Sequence, residues 1–174
     1  RDYLNSVQWD GIERIDNLLI NYLGAEDNDY TKTVTRKTLT AAVARIFEPG
    51  IKFDNILTTV GEEGEGKSAL WDILGGSWFS DTFSMHMLQT KEGYEQIQGV
   101  WLIEIAELAG MQKADLERVK AFVSSRKDRY RPSYGKSVGR KPRQCIFVGS
   151  NNRRDFLRSQ TGNRRFWPVA TYIN

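Results

Sequence analysis

The sequence predicts an α/β fold: a parallel central sheet covered by helices on both faces. Three observations lead there. Short apolar runs at Ile56–Val60, Val100–Ala106 and Cys145–Gly149 are separated by helix-length segments. None shows the apolar–polar alternation of a half-exposed strand, so each reads as a strand buried on both faces. A glycine-rich stretch lies directly between the first run and the next helical pattern.

The elements follow in order. Ile12, Ile15, Leu18, Leu19, Tyr22 and Leu23 recur at three- and four-residue steps, predicting a helix stopped at Gly24. A second helix is expected over about 31–47, with Val34, Leu39, Ala42, Val43 and Ile46 on one side and Pro49-Gly50 ending it. The β-branched run 56–60 is the first strand. Residues 68–74 form a helix ended by Gly75-Gly76, Trp78-Phe79 a brief strand, and 92–98 a helix. The strand at 100–106 precedes a helix over 113–125, whose apolar set is Leu116, Val119, Ala121, Phe122 and Val123. A basic stretch with Gly and Pro covers 126–143, the third core strand opens at Cys145, and Phe166-Trp167-Pro168-Val169 comes last. This divides the chain into a helical N-terminal segment, 1–50, and an α/β domain, 51–174.

Composition narrows the function classes. With 174 residues, 40% hydrophobic and 27% charged, the chain can bury a core and is neither disordered nor fibrous. Its apolar runs are too short to span a bilayer, and no cationic leader opens it, so a membrane partner is not expected. A single cysteine, Cys145, excludes an internal disulfide and a paired-cysteine zinc site, and points to a reduced, cytoplasmic setting. Arg1 in place of methionine predicts a stretch of something longer. The net charge of +3 conceals an asymmetry. Residues 1–110 hold nine Lys+Arg against eighteen Asp+Glu, and residues 111–174 sixteen against four. A basic C-terminal third interleaved with aromatics and glycines predicts a polyanionic partner.

The glycine-rich stretch is Gly61-Glu62-Glu63-Gly64-Glu65-Gly66-Lys67-Ser68, matching G-x-x-x-x-G-K-[ST] at every fixed position. Glycine lets the backbone curl until several N–H groups point at phosphate oxygens. A helix starting near Lys67 adds its positive end, the Lys67 ammonium reaches the β- and γ-phosphates, and the Ser68 hydroxyl suits Mg²⁺. ATP is therefore expected at Gly61, Gly64, Glu65, Gly66, Lys67, Ser68 and Ala69, with the three glutamate side chains turned outward.

Such a loop needs an acid at the end of a neighbouring strand. Strand 100–106 offers Glu104 and Glu107, three apart and so on opposite faces if the strand continues. Glu107, nearer the carboxyl end, is the expected catalytic acid, and Glu104 a candidate for the metal shell; Ser68, Glu104 and Glu107 make up the metal-ligand set. Asn151 and Asn152 follow the third strand, where an amide can orient an attacking water. His86 stands alone and suggests no metal role, and the five tryptophans read as packing residues.

The segments GEEGEGKS, GVWLIEIAEL, VKAFVSSRKDRYRPSYGK, PRQCIFVGSNNRRDFL and TGNRRFWPV resemble the virulence-associated protein E family over about residues 30–170. RKDRYRPSYG and TGNRRFWPV are the most specific parts. The resemblance implies a P-loop NTPase three-layer sandwich of the AAA+/superfamily 3 helicase type, found in phages and plasmids and in longer members joined to a primase region. It implies that Lys67 and Glu107 are catalytic, that Asn152 is the polar residue ending the third motif strand (Asn151 the fallback), and that Arg164 or Arg165 reaches a neighbouring subunit's γ-phosphate. That last role implies a homo-oligomer, most simply a hexameric ring. The Asp-Glu pair commoner in such proteins is absent here, leaving open which acid holds the metal.

In the same resemblance a basic hairpin facing a central channel occupies 126–143. Arg129, Arg131, Lys136, Arg140 and Lys141 would track single-stranded or forked DNA, with Tyr134 or Tyr130 stacking on a base, Gly135 and Gly139 serving the turn, and Lys120 extending the surface. The expected activity is Mg²⁺-dependent ATP hydrolysis coupled to DNA translocation or unwinding. Two alternatives stand beside it: a phosphotransferase using the same loop on a small acceptor, which needs no basic segment, and a DNA-binding module whose ATPase is inactive.

Overall fold

The computed structural model describes residues 1–88, 90–131, 138–153 and 164–172. Its centre is a five-stranded, all-parallel sheet formed by β1 (Ile56–Val60), β2 (Phe79–Ser80), β3 (Leu102–Ile105), β6 (Ile146–Asn151) and β7 (Phe166–Ala170). The order across the sheet is β2-β3-β6-β1-β7. Strand β6 thus lies between β1 and β3, in register Leu57↔Val148 on one side and Glu104↔Val148 on the other.

Among the described residues, six α-helices accompany the sheet: α1 (Asp2–Ser6), α2 (Leu18–Leu23), α3 (Asp29–Phe47), α4 (Lys67–Gly75), α5 (Lys91–Gln96) and α6 (Lys113–Val123). Strand alternation separates two cores. Ile56, Val60, Ile103, Ile105 and Phe147 face α6 through Val119, Phe122 and Val123. Leu57, Leu102, Ile146, Val148 and Val169 face α2, α3 and α4 through Leu19, Leu23, Val34, Ala42, Leu70 and Trp71. The helical N-terminal segment therefore shares a core with the sheet.

Several expectations change in detail. The first expected helix covers only 18–23, as α2: Gly24 ends it in the left-handed conformation at φ 60°, as expected, but Ile12 and Ile15 are exposed outside it. Helix α3 starts at Asp29, capped by Asn28, whose side chain accepts a 2.8 Å bond from the Thr31 N–H. Its buried face is Thr31, Val34, Thr35, Thr38, Ala42 and Arg45, while Val43 is exposed. The threonines enter the core because their hydroxyls bond back into the helix, Thr35 to Thr31 O at 2.7 Å and Thr38 to Val34 O at 2.8 Å. Arg45 follows them in, giving its guanidinium to the carbonyls of Ile51, Phe53 and Cys145; burial holds its pKa below the ordinary value. On α6, Ala121 is exposed and Lys120 is buried. Trp9 does not pack; it is 76% exposed.

The basic stretch forms an antiparallel hairpin of β4 (Lys127–Tyr130) and β5 (Gly139–Pro142). Its base meets the amino-terminal end of the sheet, where Arg143 N–H donates to Arg126 O at 3.0 Å and Gly50 N–H to Arg143 O at 2.9 Å.

Candidate functional site

A cavity of about 380 Å³ opens at the carboxyl ends of β1, β3 and β6. Chain direction changes there: after β1 the chain crosses to β2 at the far edge, and after β6 it passes β1 to reach β7, which is where parallel sheets hold ligands. Glu63 to Ala69 line one side of the cavity, Ala106 and Glu107 another, and Ser150, Asn151 and Asn152 the third.

The loop curls as its glycines allow. Gly64 and Gly66 take φ of 86° and 73°. Gly61 serves a different need, close approach: a Cβ there would overlap the side chains of Glu65 and Thr171. The loop leads into α4 at Lys67. Lys67 is buried, and its Nζ donates to the carbonyl of Gly61 at 3.0 Å and to that of Glu62. Ser68 is exposed, and its Oγ donates to Glu104 Oε1 at 2.7 Å. The sheet register explains that bond. Glu104 shares a face with Leu102, the face covered by α4, so its carboxylate points at the start of α4. At 2% exposure the carboxylate needs a partner, and the serine hydroxyl supplies one.

Glu107 does not follow the expected alternation. Strand β3 ends at Ile105, and Glu107 sits at φ 56°, ψ 36°, the left-handed region, the only described non-glycine residue with positive φ. Both acids therefore serve the same end of the sheet, Glu104 through Ser68 and Glu107 as an exposed cavity wall. Leu108, just after it, packs on Gly149, where a Cβ would stand 2.6 Å from Leu108 Cδ1. Asn151 is buried: its Oδ1 accepts from the Arg153 N–H at 3.3 Å, its Nδ2 donates to Arg153 O at 3.2 Å, and its carbonyl accepts from the Gly61 N–H at 3.1 Å. Asn152 is exposed on the cavity wall.

One expected feature of the loop differs. The Glu65 side chain turns inward, its Oε2 accepting from Thr171 Oγ1 at 2.6 Å, while Glu62 and Glu63 are exposed. Arg164 and Arg165 precede β7, at the opposite end of the sheet from the cavity. Five strand residues, roughly 16 Å, separate the two ends. Arg165 pairs with Asp54 at 3.5 Å, and Arg164 is exposed. Neither is on the cavity of its own chain.

On the hairpin, Lys127 and Arg129 alternate with buried Asp128 and Tyr130, and Arg129 stands directly across from Arg140. Arg129, Arg131, Arg140 and Lys141 are exposed as expected. Lys120 is not part of that surface. It is 5% exposed, bonded to Glu117 Oε1 at 2.8 Å with its ammonium 6.0 Å from the Phe166 ring centre, and it holds the Glu117 carboxyl below the usual range. Tyr134, Lys136 and Gly135 lie outside the described residues. Sequence reasoning missed the anchor of this hairpin, the fully buried pair Arg143–Asp128. Arg143 also donates to Phe122 O at 2.5 Å and lies over the rings of Phe122 and Phe147, at 4.6 and 5.4 Å. The alternation of 127–130 was the signal that could have found it, since it places Asp128 inward.

Fold and site together define an α/β sandwich protein with a glycine-rich loop at the switch point of a parallel sheet. The chain belongs to the virulence-associated protein E-like domain family, whose model matches residues 4–174. No curated protein matches it. Among solved structures it is similar to the apo structure of the NrS-1 C-terminal region (305–718), with TM-score 0.60 and 17% identity over 92% of this chain. The A form apo structures of the same region align at TM-scores of 0.58 and 0.61, each at 16% identity. The chain spans 37–38% of the length of these structures. Among the described residues no helix is long and apolar enough to cross a membrane.

Proposed function

We propose that this chain is a P-loop ATPase module whose hydrolysis is coupled to DNA binding and to movement along, or opening of, the duplex, in phage or mobile-element replication. The observation that carries the reading is the convergence of Ser68 at the start of α4 and buried Glu104 from a non-adjacent strand beside one cavity. Separate segments of chain contribute to that wall, and what they present is suited to a triphosphate and a hard cation.

The backbone of 63–68 and the start of α4 offer N–H groups to phosphate oxygens. Lys67 exchanges its carbonyl partners for phosphate. Ser68 and Glu104 fit Mg²⁺, being oxygen donors already 2.7 Å apart, one of them a buried carboxylate. When bound, the ion neutralises charge building on the phosphate oxygens. Glu107 accepts the proton of the attacking water, and its left-handed backbone is the kind of strain that persists where a site requires it. Asn152 orients that water, since Asn151 has committed its amide to the Arg153 backbone.

Charge spreading in the transition state calls for a guanidinium. Arg164 is the better candidate, because Arg165 is paired with Asp54. Its place at the far end of the sheet suits action on a neighbouring copy, and hence a ring. The hairpin supports a DNA partner: Arg129 opposite Arg140 is a like-charge pair that an anion would relieve.

Lys67→Ala tests the reading. Steady-state hydrolysis should fall on the order of 10²–10³-fold; survival at the wild-type rate refutes it. The rate should also climb steeply with protein concentration if the site is completed in trans.

A further inference from the structure

The contact between Glu65 and Thr171 has no part in the chemistry proposed above. Thr171 follows β7 and is fully buried, its N–H donating to Val60 O at 2.8 Å and its hydroxyl to the same carbonyl at 3.3 Å. The hydroxyl's single proton is shared with Glu65 Oε2, the nearer acceptor at 2.6 Å, which lays the carboxylate directly over Gly61. The side chain missing at 61 is the room the carboxylate occupies.

A carboxylate inside an anion-binding loop opposes the ligand of that loop. Released toward a phosphate several ångströms away, it weakens binding roughly ten-fold. We propose that Thr171 is a positioning residue that latches the loop's own carboxylate against the end of β7, clear of the phosphates. The inference rests on reading 61–68 as a nucleotide loop and adds the residue that keeps this unusually acidic loop competent.

The test is the affinity of the full-length protein for a fluorescent Mg-ATP analogue at low and high salt. Thr171→Val should bind about ten-fold more weakly than wild type at low salt, with a smaller deficit at high salt. Thr171→Ser, which keeps the hydroxyl, should bind like wild type. In a Glu65→Ala background, Thr171→Val should have no further effect. Glu65→Gln keeps an acceptor for Thr171 and removes the charge, so it should bind at least as tightly as wild type; weaker binding overturns the proposal even if Thr171→Val fails to fold. A neutral Thr171→Val, or an equal loss in both backgrounds, overturns the latch while the nucleotide reading stands. A wild-type protein that binds no nucleotide overturns both.

Discussion

Removing the carboxylate of Asp128 is the sharpest test of how the basic hairpin is held. Asp128 and Arg143 are both fully buried, and the guanidinium contacts the carboxylate through Nε and Nη2. In Asp128→Ala, Arg143 keeps the 2.5 Å bond to Phe122 O and its two ring contacts but becomes an uncompensated buried cation. Breaking one side of such a pair costs about 3–5 kcal/mol. For a chain of 174 residues, each kcal/mol moves the melting point by roughly 2–4 °C. A fall of about 6–20 °C by scanning calorimetry is therefore expected. Asp10→Ala is the control: its pair with Arg14 is solvent-exposed, and no measurable shift should follow. Replacing both partners, Asp128→Leu with Arg143→Met, should recover most of the loss, because the desolvated charges leave together. A drop below about 2 °C in Asp128→Ala refutes the reasoning, since it would mean the guanidinium finds water or another acceptor at little cost.

Other outcomes follow from the same structure. Gly149→Ala should destabilise by about 1–3 kcal/mol in denaturant titration, because its Cβ would press on Leu108 Cδ1 and, at 2.9 Å, on Thr58 Oγ1; the proposed hydrolysis should fall with it as Leu108 drags Glu107. Arg129→Ala and Arg140→Ala should each weaken single-stranded DNA binding and reduce the slope of log K against log salt by about one unit for each phosphate no longer neutralised. An unchanged slope would remove the hairpin from the proposed DNA interface. Burial pushes the Cys145 thiol up from 9.0 to about 11. A group with a raised folded pKa stabilises below its unfolded value and loses that contribution as pH rises through the folded one, so stability should decline between about pH 9 and 11. Alkylation at neutral pH should await unfolding; rapid labelling of native protein would show the strand end to be open.

Some of the site was legible in one dimension. The spacing of Gly61, Gly66, Lys67 and Ser68 is local chemistry, because backbone curl and helix start are decided within eight residues. The three core runs declared themselves by unbroken apolarity, and Gly24 by its position after a periodic segment. The N-terminal boundary was illegible because Ile12 and Ile15 continue the spacing while remaining exposed. The buried face of α3 was hidden behind threonines, whose hydroxyls satisfy themselves inside the helix.

Sequence by itself determined the α/β class, the loop and the concentration of basic charge late in the chain, since each depends on residue type and near-neighbour spacing. Tertiary structure alone decided which partners meet: Glu104 with Ser68 across 36 positions, Glu65 with Thr171 across 106, Arg143 with Asp128, and the burial of Lys120. The first two of those pairings depend on strand order. With β6 inserted between β1 and β3 and β7 beyond β1, the carboxyl ends of four strands bring distant residues together, an adjacency that period and composition do not encode.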